Sequence, residues 1–457
     1  MSKNILICTE TLGIGGVESV VFSQALALKK KGFNVYVLAG NGENKSKIEK
    51  EKIEIIDCEY KVTNTFDTEE VEKVVSIIKE KKIDEIQVHK IICIPLMLMV
   101  CEKVDIPYVY YAHDELSETY DWFVNNFNIY SLSIKVFLEN AYKIVCISES
   151  AKNHIEQKFN IVDSRKYIIK RNCVNFDIYT TEKELDVEKV RKFLIVSRIA
   201  HEKLISVKNA IDVFIKYTDE TGLDTKLTII GDGDKKDEII NIVNDFKSRY
   251  NIEYKGAVDN VTEKINENEV IIGLNRCILE AMAIKRIVVL SGYKNLKGII
   301  SEENIELALE DNLSGNNLKS LTVEEQVKQL MNLSKNEIEK ITKSNFEKLK
   351  KENDINNNIF TIPNNEEKTK RDYSMIYSEI NKLSKKIINL EEQKKKIWEE
   401  RVFFSNQNES KEKRILNLED EIKRLSDKNE KITNELNSIK ERRIYKIVNK
   451  ISQIRKK

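Results

Sequence analysis

Gly273-Leu-Asn-Arg-Cys-Ile-Leu-Glu-Ala-Met-Ala-Ile-Lys-Arg-Ile-Val-Val-Leu290 is the stretch on which the fold reading turns. Val270-Ile-Ile272 before it is short and β-branched, as a buried strand end is. Gly273 and Asn275 suit a tight turn. Cys277 to Ile284 reads as a helix that buries Leu279, Met282 and Ala283, and Ile287 to Leu290 reads as a second strand closed by Gly292. Strand, turn, helix and strand make a parallel βαβ unit. A helix that starts at such a turn aims free backbone N–H groups at the crevice above the sheet, where open α/β sheets bind ligands. Glu280 lies in the first turns of this helix, where a carboxylate can take two sugar hydroxyls. The alternative is a solvated or salt-bridged glutamate, with Arg276 one turn earlier.

Working outward, the same alternation fills most of the chain. Asn4-Ile-Leu-Ile-Cys8 reads as a first strand, and Gly15 and Gly16 open the helix after it. Paired glycines let backbone N–H groups approach an anion, although such a loop is also an ordinary strand-to-helix turn. Further strands end in His89, in His113-Asp114 and at Ser148. Thr180 to Val190 is charged and lacks apolar periodicity. Phe193-Leu-Ile-Val196 then starts a second alternating region. It is followed by Arg198 and, five residues on, by Lys203, two cations that can meet a phosphate at one point of a cleft. Lys226 to Gly233 is a strand with a glycine turn at Gly231 and Gly233, and Ile252 to Val258 is another strand.

Several of these motifs resemble family 4 glycosyltransferases, the retaining nucleotide-sugar enzymes of GT-B fold. Leu279-Glu280-Ala281-Met282-Ala283 looks like the family's helix core, Gly15-Gly16-Val17-Glu18 like its glycine loop, and Arg198 with Lys203 like its diphosphate-binding pair. The resemblance covers roughly residues 3 to 300. It implies two Rossmann-like domains and transfer of a sugar from a nucleoside diphosphate donor to a hydroxyl acceptor, with no metal or other cofactor required. By that resemblance His113 reaches the transferred sugar and Glu280 holds the ribose. Gly15, Gly16, Gly231, Gly233, Val258, Gly273 and Asn275 line the donor. The family's first acidic residue would fall at position 272, which is Ile272 here, and Asn275 and Lys285 stand where glycines are common. Donor specificity of an unusual kind fits this departure, and so does a non-catalytic scaffold that binds nucleotide-sugar.

The expected organisation is a Rossmann-like acceptor-side domain over 1–178, a linker over 179–191, a donor domain with a return helix over 192–352, and a second linker over 353–369. From Ile376 a heptad frame begins, with Leu383, Leu390, Leu418, Leu425 and Ile432 at d and Ile380, Ile387, Ile422 and Leu436 at a. This predicts a coiled coil over 370–442. Asn429 at an a position favours a parallel homodimer. Polar core positions near 394–411 leave open an antiparallel hairpin or a single solvated helix. Residues 443–457 form a basic amphipathic tail suited to an anionic membrane surface.

Composition sets bounds. A chain of 457 residues with 41% hydrophobic residues suits two or three domains. A net charge of +1 argues against a broad nucleic-acid surface. Seven cysteines without CxxC spacing read as buried thiols of a reducing compartment. Met1-Ser-Lys-Asn4 leads straight into a strand, so no signal peptide is expected, and the expected location is cytoplasmic or peripheral on the inner face of the cell membrane. The acceptor classes implied are polysaccharide, lipid-linked and protein glycans.

Overall fold

The structure is a computed structural model that describes residues 2–13, 15–62, 67–113, 122, 125–126, 128–181, 185–258, 260–364, 374–405 and 412–440. Two sheets carry the fold. The first is built from β1 (Asn4–Thr11), β2 (Asn34–Gly40), β3 (Glu54–Asp57), β4 (Glu85–Val88), β5 (Tyr108–Ala112), β6 (Lys143–Cys146) and β7 (Tyr167–Ile169), in the order β3-β2-β1-β4-β5-β6-β7. All its pairs are parallel. The second holds β8 (Lys192–Val196), β9 (Lys226–Ile230), β10 (Asn251–Tyr254), β11 (Val270–Gly273), β12 (Ile287–Ser291) and β13 (Leu296–Ile299), in the order β10-β9-β8-β11-β12-β13. Only the edge pair β12–β13 is antiparallel in that sheet.

Helices cover both faces of each sheet, which is why central strands such as Phe193–Ile195 and Val288–Leu290 are apolar on both sides and fully buried. The strand order reverses between β1 and β4 in one sheet and between β8 and β11 in the other. Those two switch points set where a ligand can enter, at the carboxyl ends of the strands. The α/β architecture with two Rossmann-like sheets is the one the sequence predicts.

The chain then returns to the first sheet. Helices Val323–Met331 and Lys335–Glu352 each start with a capping box, Thr322 with Glu325 and Ser334 with Glu337. Beyond them, residues 353–364 are a packed strap rather than the first part of a free linker. Ile359 joins the cluster of Ile5, Ile7 and Val21, and Ile362 joins Val109, Tyr111 and Val145. Three apolar side chains in an asparagine-rich stretch, Ile359, Phe360 and Ile362, drive this docking. The strap also completes a buried polar group. Lys3 Nζ lies 2.6 Å from Glu85 Oε2 and donates to the Ile362 carbonyl, while the Ile362 N–H donates to Glu85 at 2.9 Å. The expected linker over 179–191 is likewise tied down, by the buried side chains of Tyr179 and Val190.

Helices Ser374–Ser405 and Glu412–Lys440 pack on one another. Lys394 meets Ser426 and Arg401 meets Glu419, so the two helices run antiparallel. Leu390, Leu418, Ile432 and Leu436, all core positions of the heptad frame, are buried. The seam expected to join two parallel chains is thus closed within one chain. Asn429 takes a hydrogen bond from Thr433 one turn on, inside its own helix. The first helix of the hairpin also packs against helix Asn128–Asn140, and Leu436 enters the first domain's core. A bifunctional maleimide reagent acting on Arg401→Cys/Glu419→Cys should therefore link the two positions within one chain. Predominant crosslinks between chains on a denaturing gel would instead favour the parallel dimer. The basic tail expected over 443–457 lies outside the described residues. Among the described residues no helix is long and apolar enough to cross a membrane.

Candidate active site

One side of the candidate site forms where β8 ends. Ser197 to Lys203 leave the strand through a short 3₁₀ turn, His201–Lys203, and helix Leu204–Thr221 follows at once. The exit of β9 lies directly against this segment, and only glycine allows the approach. A Cβ at Gly231 would sit 1.8 Å from the Ser197 carbonyl oxygen, and one at Gly233 would sit 2.3 Å from that of Ile199. The two glycines therefore shape the segment that carries Arg198. The Arg198 side chain is 69% exposed and pairs with Glu202. Lys203 is set deeper. Burial pulls its ammonium pKa down, and Cys277 and Arg198 are the next influences on it. Cys277, expected as a buried thiol, is half-buried here, and its sulfur would lie 2.7 Å from a Cβ on Gly273.

The stretch that decided the fold reading has the backbone its residues foretold. Ile272 lies inside β11, paired with Ile195 and Val289 and fully buried, so position 272 cannot present a side chain to the cleft. The strand turns at once after Gly273. Asn275 caps the helix at φ 59° and Lys285 follows it at φ 55°, a region that disfavours side chains other than glycine's. Both are positions where the sequence comparison expected glycine.

Glu280 is engaged inside the protein. Its Oε1 accepts from the Tyr179 hydroxyl at 2.7 Å and lies 2.8 Å from Arg276 Nε, an ion pair without the alignment of a hydrogen bond. Burial pushes the Glu280 carboxyl up, opposed by Arg276 and Tyr179. This is the salt-bridged arrangement of Glu280, engaged through Oε1. The guanidinium of Arg276 reaches on toward the first domain. It donates to the Cys173 carbonyl at 3.2 Å and stands 3.5 Å from Ser23 Oγ, on helix Gly16–Lys30. A small polar cleft adjoins it, lined by Arg171, Asn172, Asn275, Asn312 and Asn353 among others.

Opposite, at the carboxyl end of β4 and β5, His113 is hydrogen-bonded to a second histidine. His89 Nδ1 lies 2.9 Å from His113 Nε2. The His89 ring stacks on Tyr111, with centroids 4.4 Å apart and planes 7° apart. Burial pushes both imidazoles below the usual histidine range. For His89 the neighbouring His113 adds to this, and for His113, pushed down to about 3, Lys90 and Arg276 add to it. Both rings are therefore neutral at physiological pH. Arg276, which adds to the His113 shift, also reaches first-domain residues Cys173 and Ser23. Asp114 lies outside the described residues.

The glycine loop is partly occupied by the protein itself. Gly15 precedes helix Gly16–Lys30 in an extended conformation, and Glu18 folds back so that its Oε2 would lie 2.2 Å from a Cβ on Gly15. Lys90 pairs with Glu18 at 3.1 Å. Val258 is half-buried and packs in the cluster of Val196 and Cys277. The structure thus gathers Arg198, Lys203, Gly231, Gly233 and Gly273 at one switch point, and His113 with Lys90 near Gly15 at the other. Sequence reading missed three participants. Arg276 was visible only as a partner for Glu280, His89 only as one more strand-end histidine, and nothing marked Tyr179.

This arrangement is that of a GT-B fold. Three solved structures share it over nearly their whole length: HepE of Anabaena with UDP and glucose (TM-score 0.55, 14% identity, 77% of this chain and 96% of that one), a glycosyltransferase of Rickettsia africae (0.53, 16%, 78% and 95%), and a variant of S. aureus TarM solved with UDP among its ligands (0.55, 11%, 78% and 98%). Residues 14–177 match Glycosyltransferase Family 4, so the first domain carries a domain of that family. Among curated proteins the sequence matches none.

Proposed function

We propose that the chain is a retaining glycosyltransferase that moves a sugar from a nucleoside diphosphate donor to a hydroxyl acceptor. The observation that supports this reading is the pair Arg198 and Lys203 on the segment that leaves β8 and is shaped by Gly231 and Gly233, with helix Arg276–Ala283 starting just after the neighbouring strand β11. Departure of a nucleoside diphosphate builds charge on its β-phosphate. Two fixed cations and a helix N-terminus at that point stabilise the charge as it forms. Arg198 is exposed and able to fork onto phosphate oxygens, whereas Lys203 supplies a half-buried point charge. Glu280 acts through Arg276, which it and Tyr179 hold toward the first domain. His113 offers a neutral nitrogen to the transferred sugar.

HepE and TarM were solved with UDP, which supports a uridine nucleotide as the first to test. UDP should raise the melting temperature of the purified chain in proportion to mass action, about 2.7 kcal/mol at a hundredfold excess over Kd. Arg198→Ala and Lys203→Ala should each weaken the response. If UDP, GDP and ADP all leave both the melting temperature and the calorimetric baseline unchanged, the reading is wrong.

A further inference from the structure

We infer that His89 is a positioning residue that fixes the ring and the proton of His113. The inference deepens the sugar-transfer reading and rests on it for its chemical consequence. Strand β4 sends Glu85, Gln87 and then His89 to one face of the sheet, an unusual run of buried polar side chains. The first two have clear partners. Glu85 pairs with Lys3, Gln87 donates to Glu85 at 2.6 Å, and Gln24 donates to Gln87 at 2.5 Å. His89 ends the row, 2% exposed, and among the described residues its side chain's one hydrogen bond runs to His113. The near-parallel stack on Tyr111 sets the plane of the His89 ring, so the Nδ1 of His89 has a fixed direction.

The proton in this pair has two placements. His89 Nε2 is buried and has no hydrogen-bond partner among the described residues. A proton there would leave a buried N–H donor orphaned, which folded proteins avoid more strictly than an under-used acceptor. Placed on Nδ1 instead, the proton is donated to His113 Nε2. A neutral His113 then carries its own proton on Nδ1, its other ring nitrogen. His113 thus meets a ligand as an N–H donor, suited to a sugar hydroxyl oxygen or a phosphate oxygen and unable to serve there as a base. Burial holds the His113 ring neutral, and the charges of Lys90 and Arg276 add to this.

The test uses the full chain with ¹⁵N-labelled histidine. The chain has four histidines, so long-range ¹H–¹⁵N spectra are readily assigned by single replacements. The wild type should show His113 as the Nδ1–H tautomer. His89→Phe keeps the stack on Tyr111 and removes Nδ1, and it should leave His113 in mixed tautomers. With a donor in hand it should lower kcat about 10- to 100-fold with less than about threefold change in KM. His89→Asn, whose amide can stand where Nδ1 stood, should recover most of the lost turnover. An Nε2–H tautomer in the wild type, an unchanged His113 spectrum in His89→Phe, or equal losses in both variants would overturn the inference. The wild-type spectrum decides even if a variant fails to fold. A chain inert toward every nucleotide-sugar, yet showing the Nδ1–H tautomer, would sink the transferase reading and leave the His89 role standing.

Discussion

Arg198→Ala is expected to slow sugar transfer roughly 100-fold, about 3 kcal/mol of transition-state stabilisation, without unfolding the protein. The two halves of this expectation have separate causes. Arg198 stands at the end of β8 on the glycine-shaped segment, with its side chain 69% exposed and paired only at the surface with Glu202. Its removal leaves no buried charge unpaired, and exposed pairs of this kind contribute little to stability. The cost should therefore fall on the departing diphosphate alone. Arg198→Lys should recover part of the rate, because a point charge replaces a planar fork. The check is kcat/KM beside the melting temperature. Near-normal turnover in Arg198→Ala with an unchanged melting temperature removes the residue from the phosphate clamp.

Glu85→Ala should do the opposite, destabilising the fold by about 3–5 kcal/mol while leaving the cleft residues untouched in the protein that remains folded. Glu85 is fully buried, and three groups depend on it: the ammonium of Lys3, the amide of Gln87 and the backbone N–H of Ile362. Removing the carboxylate takes the ion-pair partner from Lys3, which keeps the Ile362 carbonyl, and leaves the buried Ile362 N–H without its acceptor. Urea denaturation reads the effect. A loss below about 1 kcal/mol would mean that these groups find replacement partners and that the strap does not depend on Glu85.

Much of this was legible in the sequence, for identifiable reasons. The strands declared themselves because parallel sheets covered on both faces need unbroken β-branched runs, as in Phe193–Val196 and Ile287–Leu290. The cations at 198 and 203 were legible because their spacing is local. Asn275 and Lys285, noticed as residues where glycine is usual, proved to hold left-handed φ values.

What was hidden is non-local. The hydroxyl that engages Glu280 comes from Tyr179, 101 residues earlier, and no local pattern announces such a pairing. Arg276 was placed correctly one turn before Glu280, but its reach to Cys173 and Ser23 depends on how the domains face each other. The heptad frame named the buried residues of the hairpin, including Leu390 and Ile432, yet parallel and antiparallel seams share one pattern of apolar residues. Partner and direction were therefore not in it. The strap was masked by its asparagines, which outnumber the three apolar residues that dock it.

The strap also orders events during synthesis. Ile362 follows Glu85 by 277 residues. At ribosomal rates of about 5–20 residues per second, roughly 15–55 s separate the emergence of the two. Once Ile169 has emerged, and for the rest of that interval, the first sheet has its strands but lacks the backbone groups that meet Lys3 and Glu85 and the apolar side chains that cover Val109 and Val145. The first domain therefore matures last at the place where it was begun first, and a nascent chain halted inside the second domain presents that uncovered layer to whatever meets it.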